Sequence, residues 1–506
     1  MARFERANLT SYNLKCLFFI AFGAFFYGYD SGCTTSIFGY PQFISFFGFN
    51  STTLGALGSS YYGGNFIGTI CNFWLPDTIG RIRTIQLASV ISILGAALQI
   101  GAHNIGTLMA GRVIGGFACG IVYSCCPLYA SEISPPAFRG RAGGLYSFNV
   151  GFAYMFTEWL GLGFSYIKGN AGWRVFLGLQ LICPALMILG SLYLPESPRW
   201  LVLKDRQEAA LAILERIHGK ADGDKSFAHA ELHQIHAQIA LERKEQTGVT
   251  SIVKRPSYRK RLILVVVFMV GQQATAIIPM QNYQVILYEQ LGFSNKLVLI
   301  LVGLWGTDTV VATTIGSLIF DYTGRKPPVY AAMGIMTIAT IMLTAFWATF
   351  EKSGRTDATY GRLAIFSMFL FNFGYAFIMN SFGYAYIPEI LPTPIRAVGT
   401  AIMMLTFNGM IILLVQVTPI AIENISWRYF LVFIVCDIIF IIAFYVMFPE
   451  TSGKPLEEIA ALFGDPVAET FQEADRHARE EESSKALATL PKTSEHELQA
   501  RHVEGT

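Results

Sequence analysis

Tyr129-Ala-Ser-Glu-Ile-Ser-Pro-Pro-Ala-Phe-Arg-Gly140 returns farther along the chain as Tyr386-Ile-Pro-Glu-Ile-Leu-Pro-Thr-Pro-Ile-Arg-Ala397. Glu132 and Arg139 thereby match Glu389 and Arg396, an offset of 389 − 132 = 257 in a chain of 506 residues. Working outward, three more pairs follow in the same order at nearly the same offset. Gly172-Trp173-Arg174 matches Ser426-Trp427-Arg428 at 426 − 172 = 254, and Pro195-Glu196-Ser197 matches Pro449-Glu450-Thr451 at 449 − 195 = 254. Asp77-x-x-Gly80-Arg81 matches Asp321-x-x-Gly324-Arg325 at 321 − 77 = 244. Two halves of like topology are implied, a symmetry that belongs to membrane carriers more than to enzymes.

Composition points to the same solvent. The chain is 53% hydrophobic and only 14% charged, too few charges to cover a soluble domain. Its net charge of +2 comes without a basic soluble face, which excludes a nucleic-acid partner. The eight cysteines lie in or beside apolar runs, without the spacing of a metal site or a disulfide framework, and read as small core fillers. Apolar stretches of spanning length fall near 14–38, 54–75, 84–101, 107–131, 143–165 and 173–195. A second six fall near 262–288, 296–320, 328–350, 362–387, 394–418 and 427–448.

The expected fold is therefore all-α and integral to the membrane, with twelve transmembrane helices in two six-helix bundles. The expected divisions are an N-terminal segment 1–13, a first bundle 14–201, a helical linker 202–261, a second bundle 262–449 and a largely disordered tail 450–506. Twelve Lys or Arg residues lie in 202–261, whereas 39–53 and 102–106 have none. By the positive-inside rule the linker and both termini are cytoplasmic, and the first apolar run is long enough to remain as an anchor. No phosphate-binding Gly-x-x-x-x-Gly-Lys-Ser/Thr loop occurs, so no nucleotide or other cofactor is implied and coupling falls to a gradient. His229, His233 and His236 share a helical face that reads as solvated rather than metal-binding.

Gly28-Tyr29-Asp30, Asp77-x-x-Gly80-Arg81, Gly111-Arg112-x-x-Gly115-Gly116, Glu132…Arg139-Gly140-Arg141, Pro195-Glu196-Ser197-Pro198-Arg199-Trp200, Gln272-Gln273, Asp321-x-x-Gly324-Arg325 and Pro449-Glu450-Thr451 come in this order among the spans. In that arrangement the chain resembles the sugar porter family of the major facilitator superfamily, over about residues 20–460. The resemblance implies the major facilitator fold, in which two bundles enclose a midplane site that opens alternately to either side. It also implies a plasma-membrane protein that works as a monomer in lipid and carries a small-molecule sugar, with protons where the porter is a symporter. A uniporter and a non-transporting sugar sensor stay open beside the proton symporter.

Intramembrane ionisable residues carry the case made from the residues themselves, because a charge at mid-bilayer costs several kcal/mol. Asp30 and Arg112 stand at depths of about 12 and 8 Å by helix rise, so they can meet. The resemblance makes Asp30 the proton site and Arg112 its partner; a fixed brace between two helices is the plainer reading. Asp308 stands one position before the family's polar residue in span 8, and reads as a sugar-hydroxyl acceptor, a second proton site or a helix brace. Glu158, beside Trp159, reads as an entrance or snorkelling acid, and Asp437 as peripheral.

Sugars call for planar amides and aromatic rings. Gln272 and Gln273 match the family's pair, and Asn282 and Tyr283 add polar character nearby. Elsewhere the pocket departs from the family, with Ala276, Ile278, Ser147, Tyr384 and Asn408 at positions that usually complete a hexose site. Asp77, Arg81, Glu132, Arg139 and Glu196, with Asp321, Arg325, Glu389, Arg396 and Glu450, form acid and base sets at helix ends. They read as a cytoplasmic gate whose pairs form on closing, or as charges that only fix topology.

Overall fold

The computed structural model describes residues 11–133, 139–218, 226–244, 255–320, 324–451, 459 and 462–464. These residues are helical with short connections, and among them no strand occurs. The first half runs α1 (Ser11–Ile37), α2 (Pro41–Phe47), α3 (Ser51–Cys71), α4 (Leu75–Ile79), α5 (Arg81–Ile100), α6 (Ile105–Ile133), α7 (Arg139–Phe164), α8 (Ala171–Gly178) and α9 (Ile182–Ser191). Then come α10 (Pro198–Leu203), α11 (Gln207–His218) and α12 (Ser226–Lys244). The second half comprises α13 (Pro256–Gln273), α14 (Ile277–Gln290), α15 (Asn295–Phe320), α16 (Lys326–Lys352), α17 (Ala358–Gly374), α18 (Asn380–Ile390), α19 (Thr393–Ile425) and α20 (Tyr429–Met447).

Three pairs each make one crossing. A 3-10 turn at Leu179–Leu181 joins α8 to α9, a break at 274–276 separates α13 from α14, and a π turn at Tyr375–Met379 joins α17 to α18. With α1, α3, α5, α6, α7, α15, α16, α19 and α20, the described residues give twelve crossings, six in each half. Eight stretches are long and apolar enough to cross a membrane by length and composition, the last of them, Val398–Met447, running through both α19 and α20. α3 and α7 fall short because glycine, serine and tyrosine dilute them, as suits helices that face other helices rather than lipid.

Glycine sets how closely the helices approach. A Cβ on Gly64 would stand 2.1 Å from the Val113 carbonyl oxygen, on Gly68 2.1 Å from that of Phe117, and on Gly116 2.0 Å from that of Tyr61. Backbones this near pack through small residues, which is how helices associate where lipid removes the hydrophobic driving force. Beyond α9, Trp200, Leu201 and Val202 of α10 bury against Ala210 of α11 and Ile239 of α12, so the segment between the halves has its own small core.

The two halves touch at one end. A Cβ on Gly55 would lie 2.7 Å from the Gln416 carbonyl oxygen, on Gly39 2.7 Å from Leu299, and on Gly303 2.7 Å from Trp159. Hydrogen bonds between halves gather in that region: Ser59 Oγ to Gln416 Oε1 at 2.7 Å, Trp159 Nε1 to Thr307 Oγ1 at 3.0 Å, and Gln284 Nε2 to Glu158 Oε1 at 3.1 Å. It lies opposite the end where the repeated Glu132 and Glu389 motifs sit.

Candidate functional site

At the motif end the sequence repeat becomes a repeat of contacts. Arg81 grips Glu132 with two hydrogen bonds, Nη2 to Oε1 and Nε to Oε2, each 2.8 Å, and reaches Asp77 Oδ1 at 2.8 Å. Arg325 Nη2 donates to Glu389 Oε1 at 2.8 Å in the second half. Glu196 accepts the main-chain N–H of Arg81 at 2.9 Å, and Glu450 those of Arg325 and Lys326 at 3.0 and 2.9 Å. Each glutamate thus caps a helix N-terminus, where unpaired N–H groups and the dipole favour an anion. Burial pushes the Glu196 carboxyl above its ordinary value, opposed by main-chain donors from Ser197, Ile82 and Arg81.

Gly80 is required twice over. Its φ of 101° suits glycine, and a Cβ would stand 2.5 Å from Glu196 Oε2. The Tyr129 hydroxyl donates to the Pro195 carbonyl and its repeat Tyr386 to that of Pro449 at 2.8 Å, roles the sequence reading left unassigned although both tyrosines head the repeated stretch. The pairs described here join neighbouring helices of the same half; none of them spans the two halves. Arg396 Nε donates to the Leu391 carbonyl at 3.3 Å, Arg139 opens α7, and Asp321 lies outside the described residues.

Within the first half, Asp30 and Arg112 are both buried and do meet, although not as a carboxylate–guanidinium pair. Arg112 Nη1 donates to the Asp30 main-chain oxygen at 3.3 Å, its guanidinium lying 4.3 Å above the Tyr61 ring, while Cys119 Sγ donates to Asp30 Oδ2 at 3.2 Å. The Gly-Arg-x-x-Gly motif therefore places a cation beside this acid.

In the second half the glutamine pair ends α13, just before the break at 274–276. Interrupted spans expose backbone groups at mid-membrane only where protein or a cavity satisfies them. Here Gln272 Nε2 donates to the carbonyl of Met379, the last residue of the π turn, at 2.5 Å, and Gln273 Nε2 donates to Gln272 Oε1 at 3.3 Å. Gln273 is fully buried, and its Oε1 has no protein partner. A relay of hydroxyls then crosses between halves: Tyr154 to Ser31 at 2.7 Å, Ser31 to Tyr62 at 3.1 Å, and Tyr62 to Asn282 Oδ1 at 3.2 Å.

Other expected site residues are placed differently. Tyr283 donates to the Val415 carbonyl at 2.7 Å and stacks on Phe38 at 6.0 Å, which puts it in the contact between halves. Asp308 Oδ2 accepts from Asn372 at 2.7 Å, a bond to α17 of its own half, yet the residue is only half-buried. Asn408 donates to Met404 of its own helix at 3.0 Å and keeps a buried unpaired Oδ1; Tyr384 lies in α18. Glu158 corrects the sequence reading. It is 1% exposed rather than snorkelling, set between α14 and α15 of the other half, where a Cβ on Gly306 would come 2.3 Å from its Oε2. Asp437 is likewise buried, with both carboxylate oxygens unpaired.

Two repeated six-helix halves, an interrupted span with a buried amide pair, and an intramembrane acid beside an arginine define a multi-pass membrane carrier rather than an enzyme. Residues 16–463 match the family described as Sugar (and other) transporter, and the chain belongs to that family of the major facilitator superfamily. It is 29% identical to the MFS-type transporter criB of Aspergillus cristatus over 89% of this chain and 93% of that one. It is also 29% identical to the high-affinity glucose transporter of Kluyveromyces lactis, over 90% and 86% of the two chains. Among solved structures it is similar to the inward open conformation of the xylose transporter XylE from E. coli. There the TM-score is 0.74 at 21% identity, covering 89% of this chain and 100% of the other.

Proposed function

We propose that this chain imports a sugar or sugar-like small molecule together with protons by alternating access, as a monomer in the plasma membrane with both termini cytoplasmic. One observation carries the reading: one half holds a buried acid with an arginine at hand, the other a buried glutamine pair at a helix break, and the Tyr154–Ser31–Tyr62–Asn282 relay crosses between the two halves. Asp30 takes the proton and Arg112 holds it in place. Gln272, Gln273 and Asn282 bind hydroxyls, with Tyr283, Asp308, Tyr384 and Asn408 shaping selectivity.

The basic linker sets the orientation, which makes the motif end cytoplasmic and the joined end external. The present packing then corresponds to an inward-facing carrier. Bodies 14–201 and 262–449 rock about the site, with 202–261 and 450–506 on the cytoplasmic side. The Arg81–Glu132, Arg81–Asp77 and Arg325–Glu389 pairs are already formed within each body in this packing, so Asp77, Arg81, Glu132, Arg139 and Glu196, and Asp321, Arg325, Glu389, Arg396 and Glu450, stiffen each body at the cytoplasmic gate rather than pairing only on closing. A relative of comparable identity is a glucose transporter. The departures around the glutamine pair leave hexoses, pentoses, disaccharides and sugar acids to be compared directly.

The test is radiolabelled uptake into proteoliposomes across that panel, with and without an inward proton gradient. Accumulation above equilibrium that collapses with the gradient is the expected result. Uptake that equilibrates regardless of the gradient would identify a uniporter, and binding without uptake a sensor.

A further inference from the structure

A groove of about 830 Å³ runs along the flank of the first half, away from the sugar site, between the start of α1 and the end of α9. Its walls are apolar and aromatic, Phe18, Phe19 and Phe22 on one side and Leu186 on the other, and Arg216 of α11 closes its rim. Phe18 is 74% exposed and Tyr193, at the α9 end, 82% exposed, so these residues turn outward rather than into the bundle. In a membrane protein that surroundings is lipid, and the rim lies where the spans give way to the α10–α12 segment, at headgroup level.

One polar feature of the rim selects what lies there. The Arg216 guanidinium sits 4.1 Å from the Tyr12 ring centroid, on an exposed residue. Its planar array of donors suits a phosphate. The Tyr12 hydroxyl itself is buried against Cys16, which leaves the guanidinium as the polar group the rim offers. Glu215, the next acid along α11, projects about 100° round the helix and makes its own contacts. An apolar trough ending in a cation matches an acyl chain ending in a phosphate, and anionic headgroups gather at cationic sites near the membrane surface.

We propose that this groove is a binding site for an anionic phospholipid, with its acyl chain against Phe18, Phe19, Phe22 and Leu186 and its phosphate on Arg216. The site needs only that the chain lies in lipid, so it stands apart from the sugar and proton assignments.

The test uses the purified full chain, stripped of lipid and titrated with dioleoyl phosphatidylglycerol or dioleoyl phosphatidylcholine, with bound lipid counted by native mass spectrometry. The wild type is expected to hold phosphatidylglycerol about tenfold more tightly than phosphatidylcholine, the size of one charge-assisted contact. Arg216→Ala should erase that preference while leaving phosphatidylcholine binding in place, and Arg216→Lys should restore part of it. Leu186→Trp, which fills the trough, should weaken both lipids. An equal preference in wild type and Arg216→Ala would overturn the proposal. So would release of phosphatidylglycerol by millimolar inorganic phosphate, which would mark a site for a free anion.

Discussion

Asp30 has its charged neighbour at the wrong oxygen for a permanent ion pair. Arg112 reaches the main-chain carbonyl, while the carboxylate takes the Cys119 S–H with the Tyr61 hydroxyl beside it, so the acid can lose or gain a proton without breaking a guanidinium clasp. Asp30→Asn should therefore abolish accumulation against a gradient while counterflow exchange continues; accumulation with an intact pH dependence would remove Asp30 from the coupling. Gln273 offers the complementary case, a buried amide oxygen with no protein partner, and such groups cost about 1 to 3 kcal/mol until satisfied. Gln273→Ala should weaken every accepted sugar by about tenfold or more, read from competition of labelled uptake. Asp308→Asn separates two readings, since a pocket residue changes the ranking of sugars, whereas a brace to Asn372 changes only thermal stability. The sequence announced these residues because polar groups are scarce in lipid. It misjudged Glu158 because periodicity along one helix does not reveal which face meets the other half.

Elements were legible to within a few residues where apolar length alone decided them: the stretch expected at 107–131 is Ile105–Ile133, and that at 296–320 is Asn295–Phe320. What escaped notice were the interruptions. The π turn at Tyr375–Met379 follows Gly374 and precedes Pro388 by nine residues, a pattern that many continuous spans also carry, and its purpose is visible only in the Gln272 bond to Met379. The helix-end charges sort by burial rather than by sign. Arg81 and Glu132 have side chains 3% and 5% exposed, whereas Asp77 is 61% exposed. Glu132→Ala should cost about 3 to 5 kcal/mol, because it takes from a buried guanidinium its one buried acid and leaves only the exposed Asp77. Asp77→Ala should stay within about 1 kcal/mol. Thermal unfolding in detergent, followed through tryptophan fluorescence, measures both, and equal losses would refute the distinction.

At the scale of the whole molecule, the halves meet through glycines and hydrogen bonds at one end, and that contact must part if the carrier is to face the other way. Ser59 and Gln416 mark it, their side-chain oxygens 2.7 Å apart. Ser59→Cys combined with Gln416→Cys should form an oxidant-dependent cross-link that stops uptake and is reversed by reductant, read by labelled uptake and gel mobility together. Transport that continues through a complete cross-link would mean the contact never opens. The native cysteines are buried or half-buried and should contribute little background. One consequence reaches past transport. Arg81 with Glu132 and Glu196, and Arg325 with Glu389 and Glu450, pair within each half, so in the contacts described here each half closes its helix ends with its own charges. Severed after Lys244 and made as two separate polypeptides in one cell, the chain should still reassemble into a working pair, and what the intervening peptide supplies is proximity rather than structure.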